Sequence, residues 1–283
     1  MTAPRTRSSP TGLAALVVAL ACAVGCAPPP AVPERRLSLP EAIDAVAPAV
    51  VQVLGDRPRA GAPEVLGTGF FVSEQGYVVT ALHVVTPAPG TRKRGLLAGL
   101  AFENTPTIRA NFNMVRLSLV AQDPEHDLAL LKTAENPFHA DAVGNLRLQV
   151  GVAWLSAARP RDGTSIAVSG YPLSEEVLIT TAGTVASGWG MHLDMGPRKD
   201  SPEHLVLADA YIANVVVNHG NSGGPVFEIA SGAVVGMCEG FWNAPVHGGD
   251  VPLSYNSGLG LIVPAPYVLN LLKKNGIRVS PAS

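Results

Sequence analysis

Cysteine is scarce in this chain of 283 residues, which contains three. Cys22 and Cys26 lie in an N-terminal segment that we expect to direct export, and only Cys238 remains in the body of the chain. A single cysteine cannot form an internal disulfide bond, so the sequence predicts a domain without one. Because Cys238 ends the apolar, strand-like run Val234–Cys238, we expect a buried structural thiol and not a nucleophile.

A strong charge of either sign is also missing, because 20 Lys and Arg residues stand against 22 Asp and Glu residues. Domains that bind nucleic acids usually carry a clustered basic surface. The clearest basic cluster, Arg92–Arg94, lies in a loop flanked by glycine and proline, where solvated side chains are the ordinary outcome. We therefore predict no nucleic-acid partner.

Long apolar runs are missing except near the N-terminus. Gly12–Gly25 is uncharged and apolar, but it is too short to cross a bilayer comfortably and has the length of a signal-peptide core. It follows a basic start that contains Arg5 and Arg7. We therefore predict that residues 1–26 are a signal peptide and that the chain is exported.

The end of this apolar run, Ala23-Val24-Gly25-Cys26, resembles a bacterial lipobox, in which the cysteine is lipidated and becomes the new N-terminus. Lipidation of Cys26 would anchor the protein in the cell envelope, on the periplasmic side. Ordinary cleavage near Ala23 or Ala27, with Cys26 incidental, is the alternative. That alternative would leave a periplasmic or secreted protein.

Pro28–Arg36 is rich in proline and predicts a stiff tether that is not part of a core. We assign residues 27–38 to this tether and residues 39–283 to the folded part. A length of about 240 residues is enough for one large β domain or for two small subdomains.

Long helical periodicity is missing from the folded part, except in two short segments. Leu39–Val46 has Pro40 in its first turn, and Pro266–Asn275 is followed by Gly276, so we predict a helix in each segment. The other apolar runs are short, often β-branched and separated by turn residues, which predicts an all-β barrel or sandwich. The eleven candidate strands are Ala49–Leu54, Gly69–Ser73, Tyr77–Ala81, Met114–Ala121, Asp127–Lys132, Ser165–Ser169, Val177–Thr181, His204–Leu207, Pro225–Ile229, Ala233–Cys238 and Gly258–Ile262.

The segment Gly220–Pro225, with the sequence GNSGGP, puts a serine between glycines on a turn. Such a turn can present the hydroxyl of Ser222 as a nucleophile beside backbone N–H donors. Glycine-serine turns are also common without any catalytic role. Taken alone, this motif leaves both interpretations open.

Two upstream motifs carry the side chains that such a nucleophile needs. His83 follows a β-branched strand, and its imidazole could take the serine proton near neutral pH; a structural, hydrogen-bonded histidine is the alternative. Asp127 opens an apolar strand, and its carboxylate, once buried, needs a partner such as an imidazole N–H. The alternative is a turn residue that starts the strand, a role that Asp123 could equally have. Because side chains alternate along a strand, we expect His126 to be exposed on the face opposite Asp127.

In the order histidine, aspartate, serine, these motifs resemble those of the trypsin-fold serine proteases, and of their HtrA/Deg branch most closely. The resemblance runs from about Pro40 to Leu272. It also rests on an opening strand, a GSGF-like turn, a glycine-proline turn with the strand that follows it, and a closing strand. These segments are Ala47–Val53, Gly67–Phe70, Val168–Pro172 with Thr180–Val185, and Gly258–Pro264.

This resemblance implies an all-β fold with two six-stranded β-barrels, an active site between them and a C-terminal helix. Ser222 would attack the scissile carbonyl, His83 would act as general base and then as acid, and Asp127 would orient the imidazole. Gly220, Asn221 and Ser222 would form the oxyanion hole, with the backbone N–H groups of Gly220 and Ser222 as donors. The partners would be protein or peptide substrates.

In the trypsin-like fold, the residue six positions before the serine lines the base of the primary specificity pocket. Val216 and its neighbour Val217 are therefore the pocket candidates, and we expect a preference for small or medium apolar substrate side chains. We expect neither a cofactor nor a metal. The histidines at positions 192, 204 and 247 lack metal-ligand spacing, and no cysteine cluster accompanies them.

Three features concern regulation. His219 stands before Gly220, where the family often has another residue; it is either a solvent-exposed substitution or a sign of altered loop behaviour. No PDZ-type domain follows Leu272 in this sequence, so we do not expect peptide sensing through such a domain. Trp189–Met195 corresponds to a mobile regulatory loop of the family, and its large side chains either contact a partner or pack back on the barrel.

Three functions remain open at this point. The first is an exported serine endopeptidase that cleaves envelope or misfolded proteins. The second is a catalytically silent binding or scaffold lipoprotein that keeps the barrels, and the third is a latent protease whose oxyanion loop is ordered only by a partner or by oligomerisation. Intact residues at positions 83, 127 and 222 favour an enzyme over a scaffold. The oligomeric state cannot be inferred from the sequence.

Overall fold

The structure is a computed structural model that describes residues 35–55, 63–86, 95–103, 114–139, 147–193, 207–246 and 253–279. Within these ranges the chain forms two closed β-barrels of six antiparallel strands each, followed by a C-terminal helix. The predicted fold class is therefore confirmed. The predicted signal peptide, Cys26 and residues 27–34 of the predicted tether lie outside the described residues.

The first barrel divides its apolar side chains between two cores, because neighbouring residues of a strand point to opposite faces. Its strands, in the barrel order β1-β2-β3-β6-β5-β4, are β1 (Val50–Gly55), β2 (Glu64–Ser73), β3 (Tyr77–Ala81), β6 (Leu128–Thr133), β5 (Met114–Asp123) and β4 (Leu96–Gly99). In four neighbouring pairs, one residue fills the barrel interior and the other joins a larger core shared with the second barrel and the helices: Val51 and Val50, Phe71 and Phe70, Val78 and Val79, and Leu131 and Leu130.

The second barrel has its own buried interior, to which Cys238 belongs. Its strands, in the order β10-β11-β12-β9-β8-β7, are β10 (Pro225–Glu228), β11 (Val234–Val246), β12 (Leu253–Pro264), β9 (Leu207–Asn214), β8 (Ile179–Leu193) and β7 (Ser165–Gly170). Burial, with a smaller effect of the charge on Glu239, raises the pKa of the Cys238 thiol to about 12. The thiol therefore stays protonated and unreactive, as expected for a structural cysteine.

Three helices accompany the barrels in the described ranges. In α1 (Leu39–Val46), whose predicted bounds are confirmed, Ser38 and Glu41 form a reciprocal capping box that satisfies free N–H groups of the first turn. The one-turn helix α2 (Leu82–Val85) follows β3 directly, and α3 (Ala265–Lys274) begins one residue before its prediction and ends one residue earlier. No helix in the described part of the chain is long and apolar enough to span a membrane. Short 3₁₀ turns cover Ala47–Ala49, Pro137–His139 and Pro172–Ser174.

The strand predictions differ from the structure in number and in length, since β2, β11 and β12 each extend well beyond their predicted bounds. β4 was not predicted, because four residues that end in glycine carry little periodicity. The predicted strand 204–207 overlaps β9 only at Leu207, since the alanines and the aspartate of β9 have low β propensity and the strand is defined by its pairing with β8 and β12. His204 lies outside the described residues, and β8 is much longer than predicted.

Candidate active site

The three predicted catalytic residues come from both barrels. His83 lies in α2, directly after strand β3, and Asp127 lies in the turn between β5 and β6, so the first barrel supplies both. Ser222 lies in the loop between β9 and β10 of the second barrel. The order of the strands explains why His83 and Asp127 come together. β3 and β6 are hydrogen-bonded neighbours, and Ala81 at the end of β3 pairs with Leu128 at the start of β6.

His83 and Asp127 are in direct contact through two hydrogen bonds. The backbone N–H of His83 donates to Asp127 Oδ1 (2.9 Å), and His83 Nδ1 lies 2.5 Å from Asp127 Oδ2. A carboxylate only accepts, so this contact puts the imidazole proton on Nδ1 and leaves Nε2 as the acceptor. The ring therefore has the tautomer that a general base requires.

Asp127 has a backbone φ of 51°, in the left-handed region that is unusual for residues other than glycine. Aspartate tolerates this region better than most residues do. The backbone carbonyl of Asp127 accepts from the N–H of Leu82 (2.8 Å), so three acceptor atoms of one residue hold the start of α2. The strained turn thereby fixes the carboxylate against the imidazole.

The electrostatic surroundings raise the pKa of His83 above its ordinary value of 6.5. Burial by itself would lower this pKa, but the hydrogen bond to Asp127 and the negative charges of Asp127 and Glu239 outweigh it. The imidazolium ion that proton transfer would create is therefore stabilised where it would form.

Ser222 is hydrogen-bonded to Glu239 and to Thr68. Its Oγ donates to the carbonyl oxygen of Glu239 (2.9 Å), and no hydrogen bond joins this hydroxyl to His83 within the described residues. The carbonyl of Ser222 accepts from the N–H of Thr68 (2.9 Å), while the carbonyl of Thr68 accepts from Thr80 Oγ1 (2.6 Å). Thr80 lies three residues before His83, so Thr68 links the serine to β3, the strand that precedes the histidine.

The backbone around Ser222 is held by a series of anchored carbonyl groups. Because the C=O and N–H of a trans peptide point in opposite directions, these anchors turn the N–H groups of Gly220 and Ser222 away from the protein atoms that hold the loop. Neither N–H donates to any residue that the structure describes. The carbonyl of His219 accepts from Leu173 N–H (2.7 Å), that of Gly220 from Thr68 Oγ1 (2.6 Å), that of Asn221 from Gly224 N–H (2.8 Å) and that of Ser222 from Thr68 N–H (2.9 Å).

Gly220 and Asn221 fit this loop for different reasons. Gly220 has a φ of 99°, and a Cβ at this position would lie 2.3 Å from the carbonyl oxygen of Tyr171, so only glycine is accommodated. Asn221 is buried, its N–H donates to the carbonyl of Asn218 (3.0 Å), and its Oδ1 accepts from the Asn218 N–H (2.9 Å). Asn221 therefore braces the loop from within.

The two predicted pocket residues point in opposite directions. Val217 is buried in the interior of the second barrel, whereas the side chain of Val216 is 58% exposed. The carbonyl of Val216 accepts from Thr181 Oγ1 (2.7 Å), which fixes this segment to β8. His219 is exposed, and its ring makes an edge contact with Phe241 at a centroid distance of 5.3 Å.

The prediction that His126 is exposed is wrong, because only 14% of its side chain is accessible. Its ring stacks on Tyr267 of α3 with a centroid distance of 3.7 Å, and Nδ1 lies 2.9 Å from Asp123 Oδ2. Alternation along a strand does not apply here, since His126 lies in the turn before β6 begins. Asp123, Glu125 and His126 have potential metal-ligand atoms within 4.8 Å of one another, but the hydrogen bond to Asp123 already engages one nitrogen of the histidine.

The exposed Trp189 on β8 belongs to a second network of polar and aromatic contacts. Trp189 is 75% exposed, and the guanidinium of Arg159 lies 4.0 Å from the centre of its ring. Arg159 forms an ion pair with Asp209, whose Oδ2 also accepts from the hydroxyl of Tyr267 (2.9 Å). One side of the Trp189 ring is thus covered by Arg159, and the rest of the ring is accessible to solvent and to a partner.

Sequence reasoning missed three residues that hold the site. Thr68 anchors the loop at Gly220 and Ser222, Leu173 anchors it at His219, and Glu239 bonds the serine hydroxyl through its carbonyl. No motif in the sequence indicated a role for Glu239 or Leu173. For Thr68 the signal was a hydroxyl residue that stands between two glycines and before an apolar run.

Comparison with known proteins gives the family. The sequence profile of the trypsin-like peptidase domain matches residues 67–237. A protein described as a probable periplasmic serine endoprotease, DegP-like, from Rhizobium meliloti (strain 1021) is 30% identical over 223 residues, which cover 78% of this chain and 34% of that protein. Serine protease HTR4 from Bos taurus is 28% identical over 201 residues, which cover 69% of this chain and 35% of that protein. The chain thus spans about a third of the length of these two relatives.

Solved structures agree in fold. The active form of the Rv3671c protease from M. tuberculosis has a TM-score of 0.57 at 22% identity, with 86% of each chain covered. The HtrA-type protease AlgW with a decapeptide has a TM-score of 0.56 at 19% identity, with 84% of this chain and 67% of that chain covered. The profile match covers more than half of the chain and includes positions 83, 127 and 222. The chain therefore belongs to the trypsin-like peptidase domain family and is similar to proteases of the HtrA/DegP type.

Proposed function

We propose that this chain is an exported serine endopeptidase that hydrolyses peptide bonds with Ser222 as nucleophile, His83 as general base and acid, and Asp127 as the orienting carboxylate. The observation that carries this proposal is the double contact of Asp127 with His83, at the ring Nδ1 and at the backbone N–H. It leaves Nε2 of His83 as the base in a family whose members are peptidases.

The first step needs a rotation of the serine side chain. Ser222 Oγ donates to the carbonyl of Glu239, and rotation about its Cα–Cβ bond would transfer this hydrogen bond to His83 Nε2. As Oγ attacks the substrate carbonyl carbon, its proton passes to Nε2, and Asp127 stabilises the resulting imidazolium. The same proton then goes to the leaving amine, and water releases the acyl group by the reverse sequence.

The negative charge on the substrate oxygen would be stabilised by the backbone N–H groups of Gly220 and Ser222, with Asn221 bracing the peptide units between them. Support comes from the anchored carbonyls, which leave both N–H groups without an acceptor among the described residues. The loss of one such donor typically costs about 10²–10³ in turnover. No metal or other cofactor takes part in this mechanism.

Specificity and location are parts of the same proposal. Of the two predicted pocket residues, the exposed Val216 would favour small or medium apolar side chains before the cleaved bond, while Val217 supports it from the barrel interior. Strong cleavage after Lys or Arg in peptide profiling would contradict this. Substrates would be envelope or misfolded proteins, in keeping with relatives described as probable periplasmic endoproteases. Mass spectrometry of the mature N-terminus tests the lipid anchor on Cys26, and an unmodified start after Ala23 would exclude it.

The activity is tested with fluorescently labelled unfolded casein and the full chain. We expect cleavage that is abolished in Ser222→Ala and in His83→Ala, with unchanged thermal unfolding of both variants. Cleavage that persists in Ser222→Ala would assign the activity to a contaminant or to another residue.

A latent protease is the second candidate, and one observation favours it. The hydroxyl of Ser222 is bonded to Glu239 and not to His83, which is compatible with a resting state. A latent enzyme would cleave casein only after a peptide or partner is added. Inactivity under all conditions would favour a catalytically silent scaffold.

A further inference from the structure

Thr68 lies in strand β2 at the point where the first barrel meets the loop that carries Ser222. Its side chain is fully buried, although it is polar and its flanking residues are glycines. A buried hydroxyl is costly unless it is hydrogen-bonded, so the partners of this group indicate why a polar residue is retained there.

The hydroxyl of Thr68 has two partners, both from the second barrel. Oγ1 donates to the carbonyl oxygen of Gly220 (2.6 Å) and accepts from the backbone N–H of Tyr171 (3.0 Å). A hydroxyl has one proton to donate, and these contacts use it together with one of its acceptor positions. The fit is close, because a Cβ at Gly170 would lie 2.9 Å from Thr68 Oγ1.

The backbone of Thr68 adds two more bonds to the same region. Its N–H donates to the carbonyl of Ser222 (2.9 Å), and its carbonyl accepts from Thr80 Oγ1 (2.6 Å). One residue of the first barrel therefore holds the carbonyls of both Gly220 and Ser222. The connection extends through Thr80 to the strand that precedes His83.

These anchors determine how the loop presents its N–H groups. The hydroxyl fixes the peptide unit between Gly220 and Asn221, while the Leu173 N–H fixes the unit between His219 and Gly220. A rotation of the His219–Gly220 unit would redirect the Gly220 N–H, and a rotation of the Gly220–Asn221 unit would displace the following peptide, which carries the Ser222 N–H. Gly220, between the two units, has no side chain to resist either rotation. The N–H of Tyr171 donates to the same hydroxyl, so Thr68 Oγ1 also holds the segment that leads to Leu173.

We propose that Thr68 is a positioning residue whose buried hydroxyl fixes the Gly220–Asn221 peptide, so that the N–H groups of Gly220 and Ser222 stay directed at the substrate oxygen. This inference rests on the proposed role of Ser222. Thr68 does not touch the substrate, and it acts on the rate through the geometry of the loop.

The test compares Thr68→Val, which removes the hydroxyl at nearly constant shape, with Thr68→Ser, which keeps it. We expect Thr68→Val to lower kcat on unfolded casein by about tenfold to a hundredfold, less than or similar to the loss of a donor itself, with little change in KM. Thr68→Ser should retain kcat within about threefold, since the hydroxyl can still reach both partners. Labelling of Ser222 by a fluorophosphonate should slow in parallel in Thr68→Val alone.

Thr133→Val is the matched control. Thr133 is also buried in the first barrel and its hydroxyl donates to a glycine carbonyl, that of Gly76 (3.2 Å), but it lies at the far end of β6 from Asp127. We expect this variant to lose stability without losing kcat. Equal kcat values for Thr68→Val and Thr133→Val, in a chain whose wild type is active, would overturn the proposal and leave the proposed function intact.

Amide hydrogen exchange keeps the test independent of activity. In Thr68→Val, or in Thr68→Ala if the valine variant does not fold, we expect faster exchange in residues 169–175 and 218–224 than in Thr133→Val. Unchanged exchange there would overturn the proposal even in a chain that cleaves nothing. An inactive wild type with faster exchange in the variant would instead contradict the proposed function alone.

Discussion

Asp127 holds His83 and the residue before it through three oxygen atoms. Two of these atoms are the carboxylate oxygens, and the contact at Nδ1 decides which nitrogen of the imidazole carries the proton. An amide in place of the carboxylate would keep the size of the side chain but could donate to Nδ1. That donation would favour the wrong tautomer.

We therefore expect Asp127→Asn to lower kcat by about 10⁴-fold, the loss that this change causes in a well-characterised Ser-His-Asp triad. The measurement is the rate of casein cleavage at pH 7.5. Asp123→Asn is the control, because Asp123 pairs with His126 and not with His83. A loss of less than tenfold in Asp127→Asn would exclude Asp127 as the orienting group.

The pH dependence of activity follows from the raised pKa of His83. His83 must be neutral to accept a proton, so kcat/KM rises with pH through this pKa, and we expect the midpoint above pH 6.5. Glu239→Gln removes a negative charge that raises the pKa, so the midpoint should move to lower pH. By the same linkage, protonated His83 stabilises the fold below pH 6.5, and this contribution is lost as the pH rises through the folded pKa.

A pH series of kcat/KM from 5 to 9 measures this shift. Glu135→Gln, a change of an exposed residue just beyond β6, controls for the loss of one negative charge elsewhere. A midpoint in Glu239→Gln at or above that of the wild type would contradict the electrostatic role of Glu239.

At the residue scale, the sequence predicts which side chains carry catalytic chemistry better than it predicts which residues contact one another. His83, Asp127 and Ser222 could be proposed because their chemistry is recognisable in short motifs. The bond from Thr68 to Gly220 joins residues 152 positions apart, and no local pattern records it. The stack of His126 on Tyr267 was missed for the same reason.

At the element scale, the 3₁₀ turn Pro172–Ser174 is unusual because two consecutive residues other than glycine adopt positive φ, Leu173 at 57° and Ser174 at 63°. Each such residue costs about 1–2 kcal/mol. The side chain of Leu173 is 66% exposed, so burial returns little of this cost. Its N–H, however, holds the carbonyl of His219 beside Gly220.

We expect Leu173→Gly to keep the rate of fluorophosphonate labelling within about threefold, since glycine adopts this conformation without strain. Leu173→Ile should slow labelling at least about fivefold, because a β-branched side chain strongly disfavours positive φ. Leu119→Ile, at an exposed position within β5, is the control for the change of side chain. Equal labelling rates for Leu173→Ile and Leu119→Ile would contradict the claim that the turn Pro172–Ser174 supports the loop that carries Ser222.

The two longer helices were predictable because proline in the first turn and glycine after the last turn mark helix ends in the sequence. Pro40 lies in the first turn of α1 as expected, and Gly276, with φ of 72°, follows α3 as expected. The short elements β4 and α2 were not predictable, since four residues are too few for a period and pairing with distant strands stabilises them. His83 follows the strand β3 as expected, but it lies in a one-turn helix that was not predicted.

At the scale of the whole molecule, α3 connects the second barrel back to the first. Tyr267 of α3 stacks on His126 in the turn before β6, and its hydroxyl donates to Asp209 of β9. The residue after His126 is Asp127, so the C-terminal helix supports the turn that holds the carboxylate. The prediction of two closed barrels came from the family resemblance. The pattern of apolar residues alone was compatible with either a barrel or a sandwich.

We expect Tyr267→Phe to lower the free energy of unfolding by about 0.5–1.5 kcal/mol, because it removes the bond to Asp209 but keeps the ring on His126. Tyr267→Ala should cost more, since the ring contact is also lost. Urea unfolding at constant slope measures both changes, and Tyr255→Phe, at an exposed position of β12, is the control. A Tyr267→Phe variant as stable as Tyr255→Phe would contradict this role of α3.

The identity of the nucleophile is tested most directly by mapping the adduct of a fluorophosphonate probe on the full chain by mass spectrometry. We predict a single adduct on Ser222, absent from Ser222→Ala and slowed in Asp127→Asn. An adduct on a different residue, or none at all with or without added peptide, would contradict a catalytic site formed by His83, Asp127 and Ser222.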